Sequence, residues 1–222
     1  MQVDNINIKQ SSIGNLANTI KPLHAHVIDF LEENISVFIE QYIDGKVEKG
    51  LNSNFVLCMN NQIQNELFIF GHEDPEIKSS GNSPSIDISV YPRSKGTRKK
   101  RFFAFEAKRL SNELDYRREK EYVFGNGGGI ERFKRDIHAQ ELSYAAMIGY
   151  VQSDSFSIWE SRVNSWIDEK ITSLDLCDLT WEHNDKLIKK DETLEIAKYS
   201  STHIRLSNKE IKLIHIWINL LK

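Results

Sequence analysis

Cysteine is almost missing from this chain: Cys58 and Cys177 are the only two in 222 residues. They form no thiolate metal spacing and no disulfide framework, so both are expected to be reduced thiols. No apolar run approaches the length of a membrane span. The start, Met1-Gln2-Val3-Asp4-Asn5, lacks the basic and apolar regions of a signal peptide, so a cytoplasmic protein with no membrane partner is expected. An excess of positive charge is lacking too. The net charge is -3 and the pI about 6.2, which excludes a generic basic nucleic-acid binder and makes local charge the relevant quantity. There is no internal repeat. The run Gly125-Asn126-Gly127-Gly128-Gly129 is not followed by Gly-Lys-Ser/Thr, so it is expected to be a flexible loop or lid rather than a phosphate-binding P-loop. What remains is 25.8 kDa with 40% hydrophobic residues, enough for one domain with a substantial core.

Periodicity divides the chain coarsely. Residues 1 to about 20 are expected to form an irregular arm or a short strand, and a helix then starts near Pro22 with Leu23, Val27, Leu31, Ile35, Phe38 and Tyr42 at helical spacing, ending at Asp44-Gly45. A second helix carries Val47, Leu51, Phe55 and Met59. Residues 66–71 read as a strand and 72–83 as a polar loop, in which His72, Glu73 and Asp74 are taken as exposed rather than metal-binding. Residues 109–121 and about 130–147 read as helical, with a buried strand following to Val151. A helix over 156–171 places Trp159, Val163, Trp166 and Ile167 in the core, and residues 172–192 read as loop. Two terminal strands, 195–206 and 211–221, flank the turn Ser207-Asn208-Lys209. His203, Arg205 and His215 lie on them. A histidine pair can serve acid-base chemistry, but satisfied structural histidines are commoner, and both stay outside the catalytic set. The arm and first helix, 1–44, precede the main unit, 45–222, within one compact domain.

The chemistry concentrates in a hairpin. Ser83 to Val90 and Phe102 to Lys108 are rich in β-branched and aromatic residues, and Pro92, Ser94 and Gly96 between them signal a turn, so the two are expected to pair antiparallel. Alternation puts Glu106 and Lys108 on one side and Ala107 on the other. If Asp87 faces the same side, two carboxylates and an ammonium converge in a small volume, which suits a hard divalent cation. Phe102, Phe103 and Phe105 suggest a strand covered on both faces and hence a partly enclosed site. The bland alternative is a surface hairpin whose charges mark its solvated face.

The order Pro84-x-x-Asp87 and then Glu106-x-Lys108 resembles the PD-(D/E)XK nuclease superfamily, although Ser85 and Ile86 separate the proline from the aspartate. The resemblance implies an α/β fold, a restriction-endonuclease-like central mixed β-sheet flanked by helices. It further implies Mg²⁺-dependent hydrolysis of phosphodiester bonds, with Mn²⁺ as a substitute. Asp87 and Glu106 would be metal ligands, the Ala107 carbonyl an additional one, and Lys108 would position or activate the attacking water. The superfamily often draws a further acid from a preceding helix. Glu48 is the candidate here, with Glu66 and Glu73 as competitors and a plain helix-terminus role as the alternative. Gln140-x-x-x-Tyr144, read as neighbours one helical turn apart, resembles a pair that helps order the active site and DNA in helicase-associated nucleases.

Lys95, Arg98, Lys99, Lys100 and Arg101 crowd the hairpin turn together with Arg93, and Arg132, Lys134 and Arg135 follow on the later helix. These are candidate phosphate contacts, or else merely solvated charge. The function implied is nucleic-acid cleavage, with DNA as the expected substrate. No helicase, methyltransferase or recognition module is visible, so a partner subunit or homo-oligomer is expected, as in bacterial restriction or antiphage systems. Two alternatives stay open: a nuclease-fold subunit that has lost catalysis and serves binding or assembly, and a soluble interaction protein with an incidental motif.

Overall fold

The computed structural model describes residues 21–42, 47–75, 84–93, 100–114, 116–125, 128–173 and 179–221. Proline at position 22 fixes the entry to α1 (Leu23–Glu40), whose Val27, Leu31, Ile35 and Phe38 repeat at helical spacing and are buried. In α2 (Glu48–Gln62) the stripe Leu51, Phe55 and Met59 is buried as its spacing implies, while Val47, one turn earlier, is the exposed residue preceding the helix.

Seven strands form one mixed sheet: β1 (Phe68–Pro75), β2 (Ser85–Pro92), β3 (Phe103–Leu110), β4 (Tyr144–Val151), β5 (Ile188–Glu192), β6 (Ile196–Ile204) and β7 (Glu210–Asn219), in the order β1-β2-β3-β4-β7-β6-β5. The central strands β3, β4 and β7 run parallel, and every other neighbour is antiparallel. A sheet with helices on both faces is an α/β architecture.

Each face has its own core. On one, α1 and α2 cover Phe68, Phe70, Ile88, Val90, Phe103, Phe105, Ala107, Ile148 and Tyr150. Phe30, Phe38, Phe55 and Phe70 meet one another and Phe68 edge-on or tilted. Each such ring contributes about 1.5–3 kcal/mol by leaving water. On the other face α5 (Phe156–Thr172) lays Trp159, Val163, Trp166 and Ile167 over Met147, Tyr199, Leu213 and Trp217. The central β3 is therefore buried on both sides, as its phenylalanines suggested.

Four segments depart from sequence periodicity. β1 continues through residues 72–75, where a polar loop was expected. Residues 109–121 are not one helix: β3 runs to Leu110, and only α3 (Tyr116–Glu119) and a 3₁₀ turn at Lys120–Tyr122 are helical. Beyond Gly128 the helix α4 spans only Gly129–Lys134, and the chain is irregular until β4. Here β4 forms ladders with β3 on one side and β7 on the other, and those non-local bonds override the local helical pattern. Finally, the stretch expected as loop after α5 holds a 3₁₀ turn, His183–Asp185, and the edge strand β5.

Candidate active site

The site forms where the β2–β3 ladder parts. The two strands pair only through Val90↔Phe103, Ser89↔Ala104 and Ile88↔Phe105, although β2 begins at Ser85 and β3 runs to Leu110. Past Phe105, β3 keeps its other neighbour, pairing in parallel with β4 from Phe105↔Ala146 to Leu110↔Val151. The Ala107 amide, left without a β2 carbonyl, donates to Asp87 Oδ2 at 2.8 Å. That bond aims the Asp87 carboxylate at β3. On the other side of β2 the register passes from His72↔Ile88 to Asp74↔Ile86, and the intervening Glu73 takes a left-handed φ of 51°. Asp87 thus sits where both neighbouring ladders relax.

Glu106 and Lys108 follow on β3, two residues apart and on one side. Lys108 Nζ lies 2.9 Å from Glu106 Oε1 and 3.2 Å from Glu48 Oε1. Glu48 Oε2 accepts from the Arg109 amide at 3.4 Å. Glu48, in the first turn of α2, therefore reaches β3 from the helical layer. One turn along α2, Asn52 Oδ1 accepts the Tyr150 hydroxyl proton at 3.0 Å, fixing that end of the helix against β4. The competitor Glu73 instead pairs with Lys49 at 2.8 Å, and Glu66 precedes β1. Three carboxylates and one ammonium make up this cluster.

Its electrostatics follow from burial and charge. Burial, followed by the Glu106 charge, pushes the Asp87 carboxyl up to about 7 against the opposing pull of Lys108 and the Ala107 amide. Burial acts the same way on Glu106, but Lys108 and His138 outweigh it and hold that carboxyl down to about 2. Burial would discharge Lys108, yet Glu106, Glu48 and Asp87 raise its pKa above the ordinary lysine value. The ammonium and the Glu106 carboxylate are both ionised at neutral pH.

His138 is the site residue that periodicity hid. It is fully buried, with Nε2 3.2 Å from Glu106 Oε2 and 3.2 Å from Arg132 Nη1, which in turn lies 3.5 Å from Glu106 Oε1. Nothing in a run that reads as continuous helix marks it out. The irregular loop that carries it is held by Arg205, whose buried guanidinium donates to the carbonyls of Phe133, His138, Ala139 and Leu142 at 2.8–3.1 Å.

Other expected residues are placed elsewhere. Gln140 and Tyr144 do not share a helix: Gln140 is exposed on that loop, and Tyr144 opens β4 and stacks on His24 at 4.4 Å. Arg101, just before β3, is roughly 17 Å of extended chain from Glu106. Arg101 is itself buried, pairing with Glu141 at 2.7 Å and Asp74 at 3.5 Å, which removes it from the candidate phosphate contacts. Lys100 is exposed, and Lys95, Arg98 and Lys99 lie outside the described residues. Lys134, also proposed for phosphate, is buried on Asp185 at 2.7 Å, and Arg135 pairs with Glu131 at 2.6 Å. Arg132 alone of that helical group reaches the cluster.

Among the described residues no three His, Cys, Asp or Glu side chains are gathered around one cation position. The donor chemistry nevertheless fits a hard cation. Glu48, Asp87 and Glu106 offer oxygen only, and Glu106 Oε2 is buried yet accepts no well-aligned hydrogen bond.

His203 and His215 lie away from this cluster in a buried chain of hydrogen bonds. Trp217 Nε1 donates to the Tyr122 oxygen at 2.8 Å, and the Tyr122 hydroxyl meets His215 Nδ1 at 2.8 Å. His215 Nε2 and His203 Nε2 both meet Ser201 Oγ, at 2.7 and 2.6 Å, and His203 Nδ1 meets Asp185 Oδ1 at 2.5 Å. Burial lowers the pKa of both rings, most strongly for His215. Their structural assignment fits this placement.

Among the described residues no helix is long and apolar enough to cross a membrane. No protein-family model, curated protein or solved structure matches this chain.

Proposed function

We propose that this chain is a metal-dependent endonuclease of the PD-(D/E)XK type, with a restriction-endonuclease-like fold and DNA as its substrate. In this reading it is the effector subunit of a bacterial restriction or antiphage system, and its target is chosen with a partner subunit or a second copy. The observation that carries the reading is that Glu48 and Glu106 pair with Lys108 at the parting of β2 and β3, while Asp87, held by the Ala107 amide, lies within electrostatic reach of both Lys108 and Glu106. A buried Glu106 carboxylate with the half-buried Asp87 and Glu48 beside it is costly to keep unless it has a task, which weighs against a silent assembly subunit.

Asp87 and Glu106 would hold Mg²⁺ or Mn²⁺, with the Ala107 carbonyl as a further ligand and Glu48 close by. Bound there, the cation would supply Lewis-acid polarisation of the scissile phosphate. Lys108, kept protonated by its three acidic neighbours, is suited to donate hydrogen bonds to water or phosphate and to stabilise developing negative charge, and it is unsuited to act as a base. The Asp87–Ala107 bond keeps the two acidic strands in register at the site. Arg132, partly exposed beside Glu106, is the basic residue best placed to meet a phosphate.

The test is cleavage of supercoiled, linear and single-stranded DNA and of RNA with Mg²⁺ or Mn²⁺, comparing wild type with Asp87→Ala and Lys108→Ala. Metal-dependent cutting by the wild type alone supports the reading. Equal behaviour of all three proteins rejects it.

A further inference from the structure

We infer that His138 is a positioning residue of this site, fixing how Glu106 presents its carboxylate; the inference rests on the nuclease reading. Glu106 is gripped at Oε1 by Lys108 at 2.9 Å, with Arg132 at 3.5 Å. The imidazole of His138 stands at the other oxygen, Oε2, at 3.2 Å. It walls that oxygen without saturating it, since Oε2 accepts no well-aligned hydrogen bond. The side chain is thereby locked in direction while one buried oxygen keeps lone-pair capacity for a ligand.

The backbone around His138 departs from what its sequence favours. Asp136 and Ala139, on either side of it, take left-handed φ values of 56° and 49°. A left-handed backbone is costly in a residue other than glycine. The side chain of Arg205, buried at the end of β6, is committed to the carbonyls of this loop, and Asp136 Oδ2 accepts the Ser207 amide at 2.9 Å. Strain held in place from several directions is typical of segments that aim a functional group. The group aimed here is His138, and its target is Glu106.

A histidine that only fills the core would behave differently from one that orients a ligand. The experiment titrates the full chain with Mn²⁺ by calorimetry for wild type, Asp87→Ala, His138→Ala and His138→Gln, with thermal unfolding and single-turnover plasmid cleavage alongside. His138→Ala is expected to weaken Mn²⁺ binding about 10- to 100-fold, the range for losing a partner that orients a metal ligand. His138→Gln, whose amide can stand where Nε2 stands, is expected to recover most of that affinity and the cleavage rate. Folded His138→Gln protein makes the comparison even if the alanine variant is unstable. Wild-type affinity in both His138 variants, with Asp87→Ala failing to bind, overturns the inference and leaves the nuclease reading standing. A loss that glutamine does not recover overturns it as well. If the wild type binds no cation and Asp87→Ala is indistinguishable from it, the nuclease reading itself falls and takes the inference with it.

Discussion

The Asp87 carboxylate accepts the backbone amide of Ala107 at 2.8 Å, extending the link between β2 and β3 beyond the last rung of their ladder. One side chain thus has two duties, closing a gap in the sheet and presenting charge to the site. Asp87→Asn separates them, because its amide oxygen still accepts the Ala107 proton. The variant should fold and be more stable than the cation-free wild type at pH 8 by on the order of 1 kcal/mol, since a buried charge beside Glu106 is gone. Its cleavage should fall at least about 100-fold. Urea unfolding and a plasmid assay read the two effects.

Lys108 is the counter-charge for the cluster. Lys108→Met leaves Glu106 buried without its nearest cation, so a destabilisation of about 3–5 kcal/mol is expected together with loss of cleavage. A loss of unfolding free energy below about 1 kcal/mol in urea titration would show that Glu106 relies on other partners.

Arg132 is expected to act on substrate more than on the fold. Arg132→Ala should weaken DNA binding for all sequences alike and lower the magnitude of the log-affinity against log-salt slope by about one. Fluorescence anisotropy over a salt series measures this, and an unchanged slope would exclude a phosphate contact.

The buried histidines make the fold acid-sensitive. A histidine whose folded pKa is lowered contributes stability that is present above its ordinary value of 6.5 and is lost as pH falls below it. Asp185, whose pKa is also lowered despite burial through His203 and Lys134, adds a loss in the same direction at lower pH. Asp87 works the opposite way, because a raised carboxyl pKa favours the fold as pH falls. In the Asp87→Asn background, unfolding midpoints should therefore decline steadily from pH 7 to pH 4. A flat profile would show that the histidines do not titrate with unfolding.

Arg205 should tie the His138 loop to the rest of the molecule. Arg205→Lys leaves several carbonyls without their donor and should cost about 2–3 kcal/mol. Faster amide exchange is expected at Ile137 and His138, whose amides donate to Arg132 O at 2.9 and 3.3 Å. Exchange confined to the chain ends would place the loop's stability elsewhere.

The hairpin was legible in sequence because strand alternation is a local property: Glu106 and Lys108 had to share a side. The approach of Glu48 was legible only through a family resemblance. The parting of β2 and β3 was not legible, since it depends on β4 and on Asp87 taking the Ala107 amide. Gln140 and Tyr144 misled because residues 130–147 carry a helical period, while the central ladders claim Tyr144 onward for β4. Arg101 misled for a related reason. Arg101 is buried against Asp74 and Glu141, which come from segments far away in sequence. His138 had no local signal at all, because its place is set by Arg205, 67 residues further along the chain.

The bonding order Asp185, His203, Ser201 is the one by which hydrolases make a serine nucleophilic. Here a second imidazole changes its meaning. With Asp185 ionised and both rings neutral, donors and acceptors close in one way: His203 Nδ1–H to Asp185, the Ser201 hydroxyl to His203, His215 Nε2–H to the Ser201 oxygen, and the Tyr122 hydroxyl to His215. The serine oxygen that would attack is thus occupied by a donor and shut away from solvent. The array is a sealed triad, spending its polarity on holding β6 to β7 rather than on reaction.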